Sequence, residues 1–135
     1  MKKLLALIGL FMLTISCSLE NDNPRFYYEL LPVESVEMPV EFHVDTENEI
    51  VVRYFNPSTC HAFEGFYYEK IDFTRTVAIQ TGAFDQDNCS PLNNQLVSKI
   101  LRFKPAETGT YLFKFWKGRD INGANIFEEI SVDVQ

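Results

Sequence analysis

From Phe26 onward the chain breaks into short runs rich in Val, Ile, Phe and Tyr, each about four to nine residues long, separated by turn residues about every ten positions. No window sustains a helical period of about 3.6 residues. Apolar segments this short bury their side chains only by lying beside one another in sheets, so the pattern predicts an all-β sandwich of seven to eight antiparallel strands. The expected strands are Phe26–Leu31, Val40–Val44, Glu49–Phe55, Phe66–Phe73, Thr76–Phe84, Gln95–Phe103, Thr110–Lys117 and Ile126–Val134. Alternation is clearest near the end, where Ile130, Val132 and Val134 share one face and Ser131 and Asp133 the other. In Thr110–Lys117, Tyr111, Phe113 and Phe115 oppose Leu112, Lys114 and Trp116.

The material for a core is present. Of 135 residues, 46% are hydrophobic, including 12 Phe, 6 Tyr and 1 Trp, which suits one domain and argues against disorder. The formal charge of −7 excludes a nucleic-acid partner, which needs a basic surface to neutralise phosphates.

The first residues read as an address. Lys2 and Lys3 precede an apolar run from Leu4 to Ile15, the order of a secretory signal. Twelve residues rise only about 18 Å as a helix, too short for a membrane span. At the end of this run, Leu13-Thr14-Ile15-Ser16-Cys17 resembles the lipobox of bacterial lipoproteins, with Thr14 where that family usually has Leu. The resemblance implies cleavage after Ser16 and acylation of Cys17, with an ordinary signal peptide and a chance cysteine as the alternative. Residues 1–16 are then the signal, 17–25 the acylated cysteine and a polar tether, and 26–135 the folded domain. Loss of Lys2 and Lys3 leaves 10 cations against 19 acids, a net charge of −9. Ser18 after the acylated position implies sorting to the outer membrane, and Glu20 and Asp22 resemble surface-export signals of Bacteroidota lipoproteins. The expected product is exported and held to the outer membrane by its lipid, periplasmic or surface-exposed, with the membrane as its first partner.

Two further cysteines, Cys60 and Cys89, would face an oxidising compartment, where a disulfide is the default. Closing a loop of about 30 residues stabilises a fold by roughly 3.6 kcal/mol in the chain-entropy model. With His61 and His43 the same cysteines could instead build a Cys2His2 zinc site or a Cys/His nucleophile pair, but neither CxxC nor HxxxH spacing occurs. No metal and no cofactor are expected.

Glu107-Thr108-Gly109-Thr110-Tyr111-Leu112-Phe113 looks like the tyrosine corner of immunoglobulin-like domains, with Glu for the usual Asp and Phe113 where antibodies carry Cys. The resemblance implies an immunoglobulin-like sandwich over residues 26–135. If the last seven strands are lettered A to G, Cys60 falls in the B–C loop and Cys89 in the D–E loop, at the same pole as the F–G loop 118–125. This pole is the candidate binding site, drawn from His61, Phe63, Asp85, Asp87, Asn88, Arg119, Asp120 and Asn122. Asp85, Asp87, Asn88, Asp120 and Asn122 could offer oxygen ligands to calcium, yet without the spacing of an EF-hand the better reading is solvated turn residues. Phe63, Phe66, Tyr67 and Tyr68 could form a platform for a sugar or peptide, although alternation sends half of them inward. The tetrapeptide Phe-Tyr-Tyr-Glu stands at 26–29 and 66–69 with unmatched flanks and marks no repeat.

These observations predict a non-enzymatic, lipid-anchored binding or structural module of the outer membrane, whose partner is a protein or glycan. The stretch Thr59-Cys60-His61-Ala62-Phe63 and the overall plan are similar to small lipoproteins of Bacteroidota, a group that supplies no activity to carry over. Other readings are a protease inhibitor resembling the chagasin group, which uses its B–C, D–E and F–G loops, and a carbohydrate-binding or adhesion accessory protein. An enzyme would have to use Cys60 with His61, or Asp85 with Asp87, and neighbours on an extended backbone point apart.

Overall fold

A computed structural model describes residue 23 and residues 25–135; the signal, Cys17 and most of the tether lie outside the described residues. Eight strands follow in order: β1 (Arg25–Leu31), β2 (Ser35–Glu37), β3 (Asn48–Phe55), β4 (His61–Ile71), β5 (Thr74–Asp85), β6 (Leu96–Phe103), β7 (Gly109–Arg119) and β8 (Asn125–Val134). They form the expected β-sandwich, with a three-stranded sheet β2-β3-β6 facing a five-stranded sheet. In the larger sheet β5 is central: β4 runs along one edge, while β1 and β7 share the other and β8 follows β7.

Alternation decides the core. Ile50, Val52 and Tyr54 from β3 and Leu101 and Phe103 from β6 meet Val77 and Ile79 from β5 and Tyr111, Phe113 and Phe115 from β7. Aromatic rings interlock through this layer, with Phe103 edge-on to Tyr111 at 5.2 Å and to Phe113 at 5.0 Å. The corner read from the sequence is formed: the Tyr111 hydroxyl donates to the Glu107 carbonyl at 3.0 Å.

Strand order departs from the lettered immunoglobulin plan. β5, lettered D, pairs with β4 and, in parallel, with β7 instead of with β6. A two-residue hairpin at Asp72 and Phe73 makes this possible, with Ile71 opposite Thr74 and Asp72 in the left-handed conformation at φ 48°. The strand expected at Val40–Val44 does not form. Ser35–Glu37 occupies the edge of β3, so the later segment joins the chain end, through a parallel bridge from Phe42 to Val134 and Val44 N–H donating to Gln135 O at 2.9 Å.

β4 starts five residues before the expected Phe66 and carries a bulge between Phe63 and Gly65. The extra residue, Glu64, breaks the alternation, so Phe63 and Phe66 both pack against the core, their rings 5.2 Å apart.

Candidate functional site

Register places the poles. Arg25 lies opposite Asp85, His61 opposite Ala83 and Phe55 opposite Leu96, so loops 56–60 and 86–95 share the end at which the chain enters the sandwich. β5 and β7 run parallel, so the loop that leaves β7 opens toward that same end. The opposite end carries the β4–β5 hairpin and the 104–108 loop.

Cys60 and Cys89 are joined, with Cα atoms 5.4 Å apart. The disulfide is one rung of a longer seam. Thr59 N–H donates to Ser90 O at 3.0 Å, Ser90 N–H to Thr59 Oγ1 at 3.0 Å, Leu92 N–H to Pro57 O at 2.9 Å and Asn56 N–H to Gln95 O at 3.0 Å. Two loops that a sequence leaves free are thereby fixed to each other.

His61 joins this seam to the far sheet edge. Its Nδ1 lies 2.7 Å from Ser58 Oγ and its Nε2 2.7 Å from Glu29 Oε2 on β1. With the proton on Nε2 the ring donates to the carboxylate and accepts from the Ser58 hydroxyl. Serine, imidazole and carboxylate in series are the components of an acid–base relay. Here Ser58 Oγ also accepts the Cys60 N–H at 3.2 Å, so the hydroxyl is bound on both sides as part of a turn. The three side chains clamp β1, the 56–60 turn and β4 together. Glu29 and Ser58 were not among the residues singled out from sequence; only the placement of β1 beside β5 opposite β4 brings Glu29 to His61.

The other candidate residues disperse. Phe63 is a ring of the core margin, stacked on Tyr54 at 6.2 Å with the Lys99 ammonium 4.9 Å from its centroid. Asp85 ends β5 opposite Arg25, and Asp87 and Asn88 are exposed in the loop that follows. Asp120 Oδ1 is engaged within its own turn, where it accepts the Asn122 and Ala124 N–H groups at 2.8 and 2.9 Å. Among the described residues no three His, Cys, Asp or Glu side chains converge as a metal site.

Arg119 belongs elsewhere, on the outer face of the five-stranded sheet. There β5 presents only Thr76 and Ala78, and larger side chains on its neighbours rise around that low floor: Tyr67 and Glu69 of β4, Leu30 of β1, Trp116 and Arg119 of β7, Asn125 and Phe127 of β8. Register makes the walls, since Tyr67 faces Ala78, Glu69 faces Thr76 and Trp116 faces Phe127 across the strands. The result is an open cleft of about 490 Å³ with one tryptophan wall and a tyrosine 39% exposed. Trp116 Nε1 donates to Asn125 Oδ1 at 3.1 Å, which fixes the indole, and the Lys114 ammonium lies 4.7 Å from the Phe127 ring centroid. Sequence alternation assigns Trp116 to the face opposite Tyr111, but only the register brings it near Tyr67.

Comparison with protein-family models, with curated proteins and with solved structures finds no match for this chain.

Proposed function

We propose that the protein is a non-enzymatic, lipid-anchored binding module of the bacterial outer membrane that takes a glycan in the cleft on the outer face of its five-stranded sheet. The observation that carries this reading is the cleft itself, where Tyr67, Trp116 and Phe127 stand beside Glu69, Arg119 and Asn125. Sugars present apolar C–H faces, which stack on aromatic rings, and hydroxyls, which need donors and acceptors at the rim. Tyr67 is exposed and Trp116 and Phe127 are half-buried beside it, so an occupant of the cleft covers apolar surface that water otherwise meets.

The anchor supports the same orientation. Cys17 precedes Arg25 by eight residues, a reach of at most about 27 Å, and Arg25 enters at the disulfide pole. An acylated Cys17 therefore turns that pole toward the membrane and leaves the sheet face open to the side. The protease-inhibitor reading asks the tethered pole to insert into another protein's groove, so the glycan reading is preferred.

Trp116 is the sole tryptophan of the chain and lies in the cleft, so intrinsic fluorescence reports occupancy directly. Titration with a panel of neutral and acidic oligosaccharides is expected to give a saturable change that Tyr67→Ala weakens about tenfold or more. No change with any member of the panel would overturn the glycan assignment. The anchor is checked separately, since Cys17→Ala is expected to move the protein from the membrane fraction to the soluble one.

A further inference from the structure

The pole farthest from the chain entry holds a second concavity of different chemistry. A cavity of about 670 Å³ opens between the β4–β5 hairpin and the 104–108 loop. Four of the 12 lysines and arginines of this acidic chain line it: Lys70, Arg75, Arg102 and Lys104. Two acids, Asp72 and Glu107, share the lining, but neither pairs with these cations in an ion pair among the described residues.

Arg75 forms the floor. It stands on the inward face of β5, in the row that continues as Val77 and Ile79, and only 4% of it is exposed. Its guanidinium lies over the Tyr111 ring at 4.9 Å and the Phe103 ring at 5.9 Å, with the Tyr68 hydroxyl beside it. Nη1 donates to the Asp72 and Thr74 carbonyls at 2.7 and 2.9 Å, so the hairpin turn holds one side of the group. The Tyr68 hydroxyl is its side-chain hydrogen-bond partner, and no carboxylate among the described residues lies within ion-pair distance of the guanidinium, the group that meets an oxyanion with two parallel hydrogen bonds. Arg75 lines the cavity together with Lys70 and Lys104.

Register sharpens the point. Lys70 lies directly opposite Arg75 across the β4–β5 pair, on the same face. Like charges placed so oppose folding unless something negative comes between them. Arg102 is held at the rim by Glu47 and Glu49, at 3.2 and 3.7 Å, whereas Lys70 and Lys104 have no carboxylate within ion-pair distance among the described residues.

From the buried guanidinium that no carboxylate pairs, the facing lysines and the cavity around them, we infer an anion-binding site: the carboxylate, sulfate or phosphate group of a ligand docks on the Arg75 guanidinium, with Lys70 and Lys104 closing over it. The cavity has room for a sugar- or amino-acid-sized body behind that group. This site is separate from the outer-face cleft, shares none of its lining residues, and does not depend on the glycan assignment.

The test uses the purified full chain, labelled with nitrogen-15, titrated with sodium sulfate, phosphate and acetate against sodium chloride at matched ionic strength. Saturable shifts are expected for the Arg75 Nε–H and for amides of the hairpin and the 104–108 loop, with a Kd of about 1 mM or tighter for at least one oxyanion. The three salts distinguish tetrahedral from planar groups. Arg75→Met removes the site but also a buried packing group, so the decisive variant is the exposed pair Lys70→Gln with Lys104→Gln. It is expected to keep the native spectrum and to weaken binding roughly five- to tenfold. Shifts that rise linearly and match chloride, or a saturable response that the double lysine variant leaves unchanged, would each overturn the proposal.

Discussion

His61 Nε2 lies 2.7 Å from Glu29 Oε2, across 32 residues of sequence, and ties the first strand of the domain to the start of β4. The imidazole is largely covered, with its side chain 11% exposed, so its partners have little water to turn to. Removing it by His61→Ala strands the Ser58 hydroxyl and is expected to cost about 1–3 kcal/mol in urea unfolding under non-reducing conditions. Glu29→Gln keeps an acceptor for the ring and is expected to cost less than half as much. Equal losses for both variants would show that the carboxylate charge, and not the hydrogen bond, holds the clamp.

The Cys60–Cys89 bond lies within a seam of hydrogen bonds made by other residues, Thr59 to Ser90, Leu92 to Pro57 and Asn56 to Gln95. Its contribution should therefore fall mainly on the unfolded chain. The Cys60→Ser, Cys89→Ser double variant is expected to lose about 3–4 kcal/mol in stability. Amide exchange at Thr59, Ser90 and Leu92 should still proceed by native-like local opening once that global loss is subtracted. Selective loss of protection in these loops alone would mean that the bond shapes the native pole.

Gly82 shows a different dependence on its neighbours. A Cβ at this position would approach two Phe26 ring atoms to 2.7 Å and Glu64 Cγ to 3.1 Å. Backbone conformation does not demand glycine here; the close approach of β1 does. Gly82→Ala is expected to destabilise by about 1 kcal/mol, measured by denaturant midpoint, because the half-exposed Phe26 ring must swing from its place against Phe84 but has solvent to move into. Adding Phe26→Ala should recover part of the loss, and a fully additive double variant would refute the assignment of the clash.

Much of this architecture was legible in the residues. Periodicity announced the sandwich, the Glu107–Phe113 stretch announced the Tyr111 corner, and two cysteines behind a signal-like segment announced their pairing. What escaped depends on register. Phe63 and Phe66 differ by an odd number of positions, and only the bulge at Glu64 lets both face the core. Val40–Val44 has strand-like residues, yet the free edge of β3 was already taken by Ser35–Glu37. The aromatic cleft needs the strands set side by side before Trp116 and Tyr67 share one face, and Arg75 reads as an ordinary strand charge until its burial without an ion-pair partner is seen. Local pattern encodes which face a side chain takes; pairing between distant strands decides what it meets there.

Burial raises the Tyr54 hydroxyl above the ordinary tyrosine value of 10.0, since ionisation would place a phenolate against the core. Tyr68 moves the same way through burial, although the neighbouring Arg75 charge pulls it back. In the unfolded chain both ionise near 10.0, before the folded state does. Above that pH the unfolded chain holds fewer protons than the folded one, so stability falls as pH rises toward the folded values and is undiminished by these groups below it. Denaturation midpoints taken at stepped alkaline pH are expected to decline from about pH 10 upward. Tyr54→Phe has no proton to lose and should flatten part of that decline; a variant whose alkaline slope equals that of the parent would show that Tyr54 ionises as readily folded as unfolded.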